Sequence, residues 1–116
     1  MHPRERSAIA ATLSDSGLLD RVRAVSGREV GDPLNNPHDN VSLRDQFGIT
    51  VEFTHSSVFA FSDDGIEAAL RTTAPDSQQW ARRAVCVAVA SMWTPAIGKA
   101  ARAAKEISYA PRGITE

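Results

Sequence analysis

The sequence predicts a mainly α fold of the α+β class: five to six short helices around a central apolar helix, with one small β-hairpin. Three observations predict it. From Ala84 to Trp93 no residue is charged and apolar groups point to every side, as in a helix buried on most faces. Elsewhere apolar residues recur at helical spacing. Over Ile49–Phe61 the period shortens to two.

Taken in order, Pro3 suits the first turn of a helix over residues 3–13, with Ile9 and Leu13 four apart on one face. Ser14-Asp15-Ser16-Gly17 supplies a break and capping oxygens for a second helix carrying Leu18, Leu19, Val22 and Val25, which Gly27 ends. Two helices joined so closely predict an αα-hairpin. From Arg28 to Asn40 turn formers dominate, so a long loop is expected, centred on residues 31–41. Ser42 then caps one short turn that stops at Gly48.

Ile49, Val51 and Phe53 alternate with Thr50, Glu52 and Thr54, and Val58-Phe59-Ala60-Phe61 reads as a partner strand. A two-residue loop at His55-Ser56 sets Phe53 opposite Val58. A three-residue loop sets Phe53 opposite Phe59 and gathers the aromatics on one face, and this register is favoured. Asp64-Gly65-Ile66-Glu67 resembles a capping box opening a helix with Ile66, Ala69 and Leu70. Asp76-Ser77-Gln78-Gln79 repeats that arrangement and opens the apolar helix, expected over Asp76 to Trp93. Thr94 caps a last helix with Pro95 at its first position, Ile97, Ala100, Ala101, Ala104 and Ile107 inward, and Lys99, Arg102 and Lys105 outward. Residues 1–107 are expected to form a single globular domain, and residues 108–116 an extended C-terminal tail.

The 116 residues, 42% hydrophobic and 23% charged, match an ordinary globular domain able to bury a core without disulfides or metal. Thirteen basic and 14 acidic residues leave a net charge of −1, so bulk electrostatics implies neither a nucleic-acid nor a membrane partner. The basic residues are nearly all arginine, and alanine is abundant, which suggests a high-GC bacterial or phage genome. The polar start, Met1 to Arg6, and the absence of a span-length apolar run predict a cytoplasmic chain with no membrane contact.

Cys86 lies between Val85 and Val87, a setting for a small buried hydrophobe rather than a nucleophile. The histidines are His2, His38 and His55, none with a ligand partner at i+4, so no metal site is expected. His38, Asp39 and His55 form the candidate catalytic or ligand set, since a His–carboxylate pair brought together by folding can act as a base. Ser56 and Ser57 beside His55 lack a nucleophile elbow, and no glycine run cradles a phosphate, so no cofactor is expected. Arg21, Arg23 and Arg28 on the N-terminal helix pair could serve a DNA-binding helix-turn-helix.

Trp80 and Trp93 mark the ends of the apolar helix, which exceeds what the short elements around it readily cover. With Arg82, Arg83, Leu34 and Tyr109 they are the candidate interface residues. Three function classes follow, in this order: a non-enzymatic interaction or assembly module with a protein partner or a second copy, reaching out through the 31–41 loop or the tail; a small DNA-binding regulator; and a small enzyme or ligand-binding protein using His38, Asp39 and His55.

Overall fold

A computed structural model describes residues 3–54, 57–63, 67–71 and 78–109. These residues form five helices and a three-stranded antiparallel sheet, a mainly helical α+β fold. The order is α1 (Pro3–Ala11), α2 (Asp15–Ser26), α3 (Pro37–Phe47), β1 (Thr50–Phe53), β2 (Ser57–Phe61), β3 (Glu67–Arg71), α4 (Gln78–Ala90) and α5 (Pro95–Tyr109).

The apolar helix is the centre. Every residue of α4 from Ala84 to Ala90 is buried, and the helix packs against α1, α2, α3 and all three strands. It begins its described course at Gln78 and ends at Ala90, short of Trp93. There the chain tightens: the N–H groups of Met92 and Trp93 reach back three residues, to Val89 and Ala90. No single helix among the described residues is long and apolar enough to cross a membrane.

The caps on α2 follow the local chemistry. Ser14 Oγ accepts the Gly17 N–H at 3.2 Å, and Gly27, at φ 69°, turns its N–H back to the Arg23 carbonyl. The expected αα-hairpin does not form. α1 packs on β3 and α4 instead, burying Ala10 and leaving Ile9 outside, because the sheet edge offers more apolar contact than α2.

The long loop is half helix. Pro37 is the first residue of α3, and Asn36 caps it, accepting the N–H groups of His38 at 2.9 Å and Asp39 at 3.3 Å. The Asn-Pro step that reads as a turn is thus a helix start, since proline is well suited to the first helical position. What remains of the loop is pinned rather than reaching outward. Val30, Pro33 and Leu34 are buried, and Asn40 Nδ2 donates to the carbonyls of Pro33 (2.9 Å) and Arg82 (3.2 Å).

The sheet differs from expectation twice. Its register pairs Phe53 with Val58 and Val51 with Ala60, the two-residue-loop alternative, so Phe59 and Phe61 lie on the face away from Val58 and Ala60. Small Val58 and Ala60 lie against α4 and are fully buried, which the bulkier aromatics would prevent. Residues 67–71 form β3 rather than a helix, with Val58 opposite Leu70 and Ala60 opposite Ala68. Five residues are too few to repay helix nucleation, whereas pairing with β2 buries Ala68 and Leu70 together. The capping-box residues Asp64, Gly65 and Ile66, and the Asp76-Ser77 start of the apolar helix, lie outside the described residues, as do residues 110–116 of the expected tail.

Candidate functional site

His38 is exposed in the first turn of α3, and its N–H serves the Asn36 cap. Asp39 faces inward toward the loop, where its carboxylate accepts the Asp32 N–H at 2.8 Å and packs against Gly31. The positive φ of 69° at Gly31 and the closeness of Asp39 leave no room there for a side chain. Asp39 therefore holds the loop. His55 lies outside the described residues. Among the described residues no group of three His, Cys, Asp or Glu side chains is arranged to hold a metal.

Cys86 is fully buried, and burial pushes its thiol up to about 12. The nearby Arg83 opposes that shift only in part. A thiol so protonated is packing, not a nucleophile.

Internal contacts engage the arginines of the DNA-binding reading. Arg23 pairs with Asp20 at 3.0 Å and lies 3.7 Å from Glu29. Arg28 donates to Gln46 (2.7 Å) and Ser42 (3.2 Å). The Arg21 guanidinium stacks 4.2 Å from the centroid of Trp93. A phosphate would have to compete with these partners.

The interface candidates are dispersed. Leu34 is a core residue, 6% exposed, and Trp80 is half-buried against the core. Arg82 Nε donates to the Leu34 carbonyl at 2.9 Å; Arg83 pairs with Asp15 at 2.7 Å and donates to the Leu13 carbonyl at 3.1 Å. Tyr109 closes α5, and its side chain lies outside the described residues. Arg82 also lines a small cleft between α3, α4 and β1, and Trp93 lines an open surface with room for a partner.

That surface is the groove between α2 and α5. α5 leaves α4 at 94°, started by Thr94, whose Oγ1 accepts the Ile97 N–H at 3.2 Å, and makes its main contact with α2. Gly98 lets Trp93 approach closely: a Cβ there would meet the indole Cζ2 at 2.6 Å. Arg21, Trp93 and Gly98 thus form the hinge end of the groove. Its floor includes Val25, Ile97 and Ala101, and its volume is about 1320 Å³.

α5 is not buried along its apolar stripe. The residues turned toward the protein are Ile97, Gly98 and Ala101, while Ala100, Ala103 and Ala104 are exposed. On a helical projection the buried side lies about a fifth of a turn from the centre of the Ile97, Ala100, Ala101, Ala104 and Ile107 stripe. The expectation that Ala100 and Ala104 face inward is corrected accordingly, because α2 reaches only one flank of the helix. Comparison with protein-family models, curated proteins and solved structures finds no match to this chain.

Proposed function

We propose that this protein is a non-enzymatic association module, and that the α2–α5 groove receives one amphipathic helix of a partner protein. The observation that carries this reading is the offset between the apolar stripe of α5 and its buried side, which leaves Ala100 and Ala104 facing solvent at the open groove. A helix about 10 Å across would fill 1320 Å³ over about three turns. Alanines on that wall let a second backbone approach closely, and Val25 and Ile97 supply apolar contact. Charges at the rim, Asp20, Arg21 and Arg102, suit the polar flanks of such a helix.

A photo-crosslinking amino acid placed at Ala104, with Asp45 on α3 as the control site, tests the reading in cells. The expected result is a discrete adduct at Ala104 whose crosslinked peptide has helical amphipathic spacing, and which Ala100→Arg removes. An adduct pattern identical at the two sites, or unchanged by Ala100→Arg, would refute it.

A further inference from the structure

The charges around the α2–α5 groove are one-sided. Its described lining holds Arg21, Arg23, Arg28 and Arg102 against Asp20 and Glu29, a net charge of +2 in a chain whose net charge is −1. Both carboxylates are already engaged. Asp20 pairs with Arg23 at 3.0 Å, and Glu29 lies 3.7 Å from the same guanidinium while accepting the Gly31 N–H at 3.1 Å. The other three arginines have no carboxylate partner among the described residues. Arg21 stacks on Trp93 at the hinge end of the groove, and Arg102 is exposed on the α5 wall. Arg28 donates to neutral oxygens, those of Gln46, Ser42 and the Glu29 backbone. Uncompensated positive charge thus lies on both walls, beside a floor that includes Val25, Ile97 and Ala101.

We infer, building on the groove reading above, that the occupant is an acidic amphipathic helix, with apolar residues on the floor and Asp or Glu along both flanks. A helix with uncharged flanks would take water from Arg21 and Arg102 and return no partner for either charge. A basic helix would set like charges together and be repelled. An acidic helix returns a carboxylate to each guanidinium, which arginine can hold through two parallel hydrogen bonds. A nucleic acid would answer the charge but not the floor, since its phosphate backbone offers Val25, Ile97 and Ala101 no apolar contact.

Two synthetic peptides of about 15 residues, roughly four turns of helix, test this against the full chain. Both carry leucine at i, i+3 and i+4 spacing; one has glutamate flanks and the other lysine flanks. Anisotropy of a fluorescent label on each peptide reads binding at about 50 mM salt, where charges are little screened. The glutamate peptide is expected to bind tighter by about 10-fold or more, because reversing the sign opposite each of three guanidiniums changes affinity about 2-fold or more. That preference should shrink toward about 1 M salt. Arg102→Glu should weaken the glutamate peptide about 2- to 30-fold and tighten the lysine peptide. Ala100→Arg adds a cation but blocks the wall, and should remove binding of the glutamate peptide. A glutamate peptide of scrambled order, equal in charge but lacking an apolar face, should bind about 10-fold more weakly or worse.

Equal affinity for the two ordered peptides, or a preference for lysine, would overturn the acidic assignment and leave the groove reading standing. Scrambled peptide binding as tightly as ordered, or tighter binding to Ala100→Arg than to the parent chain, would overturn it by marking a general surface for polyanions. No binding of either ordered peptide up to about 1 mM would overturn the groove reading and the acidic assignment together.

Discussion

Replacing Asn40 with alanine is expected to cost about 2–3 kcal/mol of folding stability. Asn40 is 5% exposed on α3, and its amide nitrogen is shared between the Pro33 carbonyl at 2.9 Å and the Arg82 carbonyl at 3.2 Å. One side chain thereby ties α3 to the pinned loop and to the central helix. Each bond contributes about 1 kcal/mol net, and the Pro33 carbonyl left buried without its donor adds a desolvation penalty of about 1 kcal/mol. The Arg82 carbonyl, in a helix interior, keeps its helical partner and adds less. With a urea m-value of about 1.5 kcal/mol/M for a domain of this size, the unfolding midpoint should fall by about 1.3–2 M. Asn40→Asp should fall further, since a carboxylate cannot donate and would face two carbonyl dipoles. Equilibrium unfolding followed by circular dichroism measures both. A midpoint shift under about 0.3 M for Asn40→Ala, or a milder effect of aspartate than of alanine, would refute the reasoning.

Other outcomes follow from the same contacts. The Cys86 thiol should resist alkylation in the native state and react on unfolding. Its folded pKa of about 12 stands above the ordinary value of 9.0, so the unfolded chain loses the proton first and stability falls between pH 9 and 12. At pH 10 the loss attributable to this group is about 1.4 kcal/mol, read as the difference in pH slope between the parent chain and Cys86→Ala in urea titrations. Gly98→Ala should push Trp93 out of its stack with Arg21 and loosen α5, seen as a shifted tryptophan emission with the remaining helices intact. Asn36→Ala should cost about 1 kcal/mol through loss of the α3 cap, measured by thermal unfolding.

The central helix was written in the chain because an apolar run too long for one face admits only burial on many sides. Local chemistry likewise marked the Ser14 and Thr94 caps and the Gly27 and Gly48 stops, since each depends on residues within a turn of one another. The identity of Cys86 as packing followed from its neighbours for the same reason.

Tertiary structure decided what short segments cannot decide alone. Residues 67–71 satisfy a helical and an alternating pattern equally, and β2 chose between them by pairing Ala68 and Leu70 against Ala60 and Val58. The hairpin register turned on volume at α4, which admits Val58 and Ala60. Asn36-Pro37 reads as a turn until α3 has a surface to lie on. The offset of α5, too, arises from where α2 reaches and not from α5 itself. The proposed docking surface is of this second kind: the alanine stripe is visible in the sequence, but only the fold leaves one flank of α5 uncovered among the described residues.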